Sequence, residues 1–214
     1  MGFFEGVLNA VYPCRCPYCG GVILRSAVAC RDCAQELPKT CYSRCASGGV
    51  PCAAALTYTG KYADAVKRFK YGKVSEYTHP FANLVADTVI GTYGEAAFDL
   101  VTSVPMHSRD LRERQFDHAA LIARAAARRL ELPYAAVLEK HRKNVPQHTL
   151  KRSEREDNVR GVYRVSNART LKGKRLLIVD DIITTGSTLG ECAKTAQKGG
   201  CKSVACAVVA TVTV

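Results

Sequence analysis

Tryptophan is absent from the 214-residue chain, and no stretch approaches the roughly 20 apolar residues that a membrane-spanning helix requires. The opening, MGFFEGVLNA, has neither the basic n-region nor the long apolar run of a secretory leader. Gly6 stands where a myristoylation signal needs Ser or Thr. The sequence therefore leads us to expect a chain kept in a reducing cytoplasm. No Gly-Lys-Ser/Thr follows a glycine loop and no G-x-G-x-x-G occurs, which excludes a Walker-type nucleotidase and a dinucleotide fingerprint. The five histidines form no Ser-His-Asp or Cys-His pattern, so nucleophilic catalysis is not indicated. Internal repeats and low-complexity linkers are missing. With 47% hydrophobic and 23% charged residues, a disordered tail is excluded and a buried core can form.

Cysteine is abundant and unevenly placed. Of 11, eight (Cys14, Cys16, Cys19, Cys30, Cys33, Cys41, Cys45 and Cys52) fall in the first 52 residues. So many thiols in a reducing compartment point to metal rather than to disulfides. Cys16-Pro-Tyr-Cys19-Gly20 and Cys30-Arg-Asp-Cys33 are C-x-x-C knuckles ten residues apart. Four thiolates so spaced suit a tetrahedral structural Zn²⁺, and Gly20 permits the tight turn in which backbone amides donate to sulfur. A module with so little apolar content needs such a staple to fold. Free thiols or a redox pair are the alternative. The spacing of Cys14, Cys41, Cys45 and Cys52 is irregular and leaves a second metal open. Cys192, Cys201 and Cys206 read as small core residues. The distribution sets an expected boundary, with a zinc-ribbon module over 1–52 and a larger domain over 53–214.

The net charge of +12 is just as local. Residues 101–175 hold 18 Lys and Arg against 8 Asp and Glu, a surplus of +10, whereas the rest of the chain is close to neutral. Such a block is a footprint for phosphate, on a nucleotide or a nucleic-acid backbone, with a solvated basic face as the alternative. Few aromatics are interleaved with it, mainly Phe116, Tyr134 and Tyr163, so base-stacking platforms are not evident.

Past residue 53 the periodicity alternates between strand and helix. AAALTY (53–58) predicts a buried strand, and Tyr62, Ala65, Val66 and Phe69 form one helical stripe. Phe81, Leu84, Val85, Thr88 and Val89 form another. FDLVTSVP (98–105) predicts a strand stopped by Pro105, 118–130 an Ala-rich helix, and YAAVL (134–138) a short strand. RLLIV (175–179), the helix 187–198 closed by Gly199 and Gly200, and SVACAVVA (203–210) complete the pattern. Apolar strands separated by helices imply an α/β fold with a parallel sheet covered on both faces.

The most informative stretch is RLLIVDDIITTGSTLGECAKTAQ. Thr184, Thr185, Ser187 and Thr188 supply hydroxyls, Gly186 lets the backbone turn tightly, and the N–H groups opening the next helix point at an anion. Asp180 and Asp181 precede this cradle at the carboxyl edge of the sheet, where open α/β folds bind ligands. Carboxylates repel a bare phosphate but accept hydrogen bonds from vicinal sugar hydroxyls, so a phosphorylated ribose satisfies both halves. An N-capped helix after a buried strand would need only one Ser, Thr or Asp.

VDDIITTGST closely resembles the phosphoribosyl pyrophosphate (PRPP) loop of type I phosphoribosyltransferases. The resemblance implies that Asp180 and Asp181, the catalytic candidates, hold the ribose hydroxyls. It further implies that Ile182, Thr184, Thr185, Gly186, Ser187 and Thr188 complete the cofactor-binding loop around the 5′-phosphate. Phosphoribosyl transfer would need Mg²⁺ and cationic side chains on the departing pyrophosphate. Arg109, Arg112 and Arg114, in the loop after Pro105, are the candidates. In the long polar segment 140–165, Gln147, Arg152, Arg155 and Asn158 are candidates for a lid over the anion.

A four-Cys ribbon followed by such a domain resembles the layout of the ComF family of late-competence proteins. The likeness rests on CPYCGG with CRDC, FKYGK (69–73), SVPMHSRDLRERQFDHA, VPQHTLKRSEREDNVRGVYRV and the loop above. Where the family usually shows Arg-Gly-Phe-Asn-Gln, this chain has Arg114-Gln115-Phe116-Asp117-His118. The resemblance implies a type I phosphoribosyltransferase fold, PRPP binding, and support of single-stranded DNA uptake across the inner membrane in natural transformation. It implies as partners a helicase or an inner-membrane channel protein, and a cytoplasmic location, peripheral to that membrane at most. The alternative is an active Mg²⁺-dependent phosphoribosyltransferase acting on a nitrogenous acceptor.

Overall fold

The structure is a computed structural model that describes residues 14–72, 75–107, 111, 116–142 and 158–212. The main sheet contains β1 (Tyr42–Ala46), β2 (Val50–Thr57), β3 (Leu100–Ser103), β6 (Arg175–Ile183) and β7 (Ser203–Thr211), in the order β1-β2-β7-β6-β3. A separate antiparallel pair is formed by β4 (Leu138–Lys140) and β5 (Tyr163–Val165). The α-helices are α1 (Arg31–Gln35), α2 (Gly60–Tyr71), α3 (Thr78–Tyr93), α4 (His118–Arg129), α5 (Ala168–Leu171) and α6 (Ser187–Lys198).

Strand alternation sorts the core into two layers. In β6, Leu177 and Val179 face the layer built with Val66 and Phe69 of α2, Phe81 and Val85 of α3, and Ile122 of α4. Leu176 and Ile178 face the other layer, with Leu189, Cys192 and Ala196 of α6 and with Leu138 and Tyr163 of the small sheet. Of the three late cysteines, Cys192 and Cys206 are buried among apolar neighbours as the sequence predicts, whereas Cys201 is only partly buried at the edge of that cluster.

Two expectations need revision. The sheet is mostly parallel but not wholly so, because β1 pairs antiparallel with β2 across a turn whose Gly48 and Gly49 take φ +83° and +75°. Tyr42-Ser-Arg-Cys-Ala gives no apolar signal because β1 is an edge strand with alternate residues in solvent. YAAVL does not form a strand of the main sheet. Tyr134 makes one bridge to Val101, after which the chain leaves β3 and pairs as β4 with β5. All of β1 and the start of β2 precede residue 53.

An ion pair fixes where β6 begins beside β3. Arg175 donates from Nη2 to Asp99 Oδ1 at 2.6 Å and from Nε to Oδ2 at 3.1 Å, while its backbone N–H reaches Oδ2 at 2.8 Å. These bonds hold the Asp99 carboxyl well below the usual carboxylate range. A depressed folded-state pKa contributes stability above the unfolded value, about 3.9, that is lost as pH falls. Asp99→Asn should therefore lower the melting temperature at neutral pH, and its difference from wild type should shrink in thermal melts below that value.

Candidate sugar-phosphate site

The predicted loop sits where β6 outruns its neighbour. β3 ends at Ser103 opposite Val179, and Val104 N–H closes onto Val179 O at 3.0 Å. Asp180 and the residues after it therefore extend beyond the carboxyl edge of β3, the position at which this fold class leaves a crevice. Asp180, Ile182, Thr184, Gly186, Ser187 and Thr188, with Ile183 and Leu189, line a cleft of about 40 Å³, enough for more than one water-sized group. Asp181 and Thr185, also predicted, are not among its lining residues. Thr185 Oγ1 instead shares a hydrogen bond with Ser187 Oγ at 2.8 Å and accepts from Ser187 N–H at 3.4 Å, which fixes the turn from within.

Gly186 is at φ +79°, and Ser47 N–H of the β1–β2 turn donates to Gly186 O at 3.3 Å. A Cβ at Gly186 would stand 2.7 Å from Ala46 Cα, and one at Gly190 would stand 2.4 Å from Ser47 O. Only glycine lets the turn rest directly on the loop and the first turn of α6. A larger cavity of roughly 340 Å³ runs between this turn and the outer face of α6, past Gly190, Glu191, Lys194 and Gln197. It contains neither Asp180 nor Asp181, so the chemistry of the lining rather than its size selects the smaller cleft.

The two acids point to opposite sides of β6 because they are adjacent on a strand. Asp180 lies toward Tyr163 and Cys192, and its charge helps raise both of those groups. Asp181 lies toward α2, where Lys70 Nζ is 3.0 Å from Asp181 Oδ1. Burial first, and the Asp181 charge second, push the Asp180 carboxyl well above its ordinary pKa. Burial opposes the charge on Lys70, yet the Asp181 and Asp180 carboxylates hold its pKa above the usual value. A third carboxyl, Asp117, caps α4 by accepting from Ala120 N–H at 2.9 Å and is itself raised, chiefly by burial.

Lys70 and Asp117 are the polar residues of this cluster that the sequence reading did not assign. Lys70 was visible only as part of FKYGK, and Asp117 only as a departure at a position that also reads as a helix cap. Arg109, Arg112 and Arg114, and Gln147, Arg152 and Arg155 of the expected lid, lie outside the described residues. Asn158 is described and half-buried.

The four sulfurs of Cys16, Cys19, Cys30 and Cys33 lie within 4.8 Å of one another, as a tetrahedral set about one ion requires. Despite burial, backbone N–H groups of Cys30, Tyr18 and Cys19 lower the Cys16 thiol to about 7, so the peptide is arranged to receive a thiolate. Gly20 takes φ +79° in the first knuckle. Among the described residues no second such group forms. Cys45 and Cys52 lie on paired strands, and Cys41 Sγ is hydrogen-bonded to Thr92 at 2.9 Å. The cluster rests on α2, with Arg68 donating to Pro17 O at 2.6 Å and Tyr18 meeting Tyr62 edge to face at 5.4 Å.

Residues 117–213 match the family model described as phosphoribosyl transferase domain. The fold is thus that of a type I phosphoribosyltransferase, with a four-cysteine cluster near the N-terminus. Over 88% of its length the chain is similar to proteins named for DNA utilization and for competence. It is 25% identical over 193 residues to the DNA utilization protein YhgH of Escherichia coli (strain K12), covering 88% of this chain and 80% of that one. To Competence protein F of Haemophilus influenzae it is 23% identical over 198 residues, covering 88% and 81%. Among solved structures, the purine phosphoribosyltransferase of Pyrococcus horikoshii Ot3 is 20% identical with a TM-score of 0.42, over 64% of this chain and 77% of that one. No helix among the described residues is long and apolar enough to cross a membrane.

Proposed function

We propose that the end of β6 binds PRPP with Mg²⁺, and that the protein couples this ligand to the handling of single-stranded DNA at the cytoplasmic face of the inner membrane. The observation carrying the first half is the junction itself. One strand end presents carboxylates for ribose hydroxyls, and the next five residues present hydroxyls, a left-handed glycine and a helix start to the 5′-phosphate. Mg²⁺ would neutralise the diphosphate, and Asp180 and Asp181 would orient the sugar.

The second half is supported by the competence and DNA-utilization relatives and by the basic window 101–175. Most of its described arginines are exposed, Arg124, Arg128, Arg142, Arg160 and Arg169 among them. Arg109, Arg112 and Arg114 belong to the same window and would serve the diphosphate or the strand backbone. The cysteine cluster would hold a structural Zn²⁺ and offer a docking face to a helicase or an inner-membrane channel protein. On this reading the ribbon proper ends near Leu37, and the phosphoribosyltransferase domain takes in β1.

Calorimetric titration of PRPP with Mg²⁺ tests the site. Wild type should bind, and Asp180→Ala combined with Asp181→Ala should show no heat of binding. Equal affinity in the two proteins would remove the sugar from this loop.

A further inference from the structure

We propose that Lys70 is the specificity residue for the diphosphate arm of the sugar ligand, and that its ion pair with Asp181 is the resting contact it exchanges on binding. This rests on the PRPP reading above. Lys70 closes the last turn of α2, and its side chain is 18% exposed against 13% for Asp181. That is too enclosed for a solvated surface pair. The end of α2 is also held firmly, because Phe69 is buried against Phe81 and against His118, 4.8 Å away, and Arg68 is tied to Pro17. The ammonium is therefore presented from a fixed element.

Asp180, Asp181 and Asp117 bring three carboxyl groups to this end of the sheet, and Lys70 pairs with Asp181 and acts on Asp180 as well. When Asp181 turns to accept from ribose hydroxyls it gives up Lys70, and an enclosed ammonium left without a counter-ion is costly. The ligand carries the replacement. In PRPP the diphosphate leaves from C1, next to the C2 and C3 hydroxyls, so an acid that holds those hydroxyls puts the diphosphate oxygens beside its former partner. The 5′-phosphate, at the other end of the sugar, is met by the start of α6 and does not need this lysine. Lys70 should thus distinguish PRPP from ribose 5-phosphate, which has the same sugar and 5′-phosphate but lacks the diphosphate.

Titrating the full chain with each of these two ligands, in Mg²⁺, tests the assignment. In Lys70→Gln, PRPP affinity should fall by about 10- to 100-fold, the loss of one charge-assisted contact, while ribose 5-phosphate affinity changes less than about threefold. Lys70→Arg should restore most of the preference for PRPP, which a merely structural defect would not allow. Parallel loss of both ligands in Lys70→Gln without rescue by Lys70→Arg, or no change in either, overturns the role of Lys70 while leaving the site intact. Failure of wild type to bind either ligand overturns the sugar-phosphate reading, and the role of Lys70 with it.

Discussion

Gly186→Ala is expected to destabilise the protein by about 3 kcal/mol or more and to push the sugar-phosphate loop off the β1–β2 turn. Two terms add. A left-handed backbone costs an L-residue about 1–2 kcal/mol, and overpacking against atoms that cannot swing aside adds about 1–3 kcal/mol. Here the atom met is Ala46 Cα, 2.7 Å from the new Cβ. Gly173→Ala separates the terms, because Gly173 has φ +74° but open space around it and should lose only the backbone share. Gly190→Ala sets the same clash against helix propensity. Alanine gains about 1 kcal/mol in a helix, yet a Cβ 2.4 Å from Ser47 O outweighs it, so this substitution should also destabilise. Urea denaturation of the three variants provides the comparison. Equal losses at Gly186 and Gly173 would mean that the turn yields freely and bears no load on the loop.

Removal of metal from the cysteine cluster should have the other large effect. The apolar interior of the module amounts to Cys16, Ala29 and Cys33, with part-buried Tyr18, Ile23, Val28 and Leu37 around them. That is far too little to offset the chain entropy of its residues, whereas a structural zinc site contributes on the order of 10 kcal/mol. Purified protein should carry one zinc per chain by atomic emission. Cys16→Ser or Cys33→Ser should lose it, and a chelator should open 14–37 to protease before the sheet domain is cut. A chain free of zinc that resists protease equally well would show that packing on α2 alone holds the module.

The segment from Arg175 to Lys198 was legible because its information is local. A continuous apolar run, two acids and a Thr/Gly/Ser turn each act through neighbours in sequence. The same holds for the knuckles, whose spacing brings four sulfurs together over 18 residues. What escaped depends on distant partners. Tyr42–Ala46 becomes a strand only because β2 offers its edge, and Leu138–Lys140 only because Tyr163–Val165 returns beside it. Lys70 looks like any helix-end lysine until β6, over a hundred residues later, turns Asp181 toward it. The opposite facing of Asp180 and Asp181 was implicit in strand alternation, but only once the strand is known to run through both residues to Ile183.

The pairing of β1 with β2 has a practical meaning for anyone dividing this molecule. A fragment starting at residue 53 would discard β1 and leave Ala53 and Ala54, which β1 pairs, on a bare ladder edge with neither charge nor proline. Naked ladders of that composition recruit one another into growing intermolecular sheets. Insolubility of such a fragment would reflect its missing border strand rather than any failing of the phosphoribosyltransferase fold behind it.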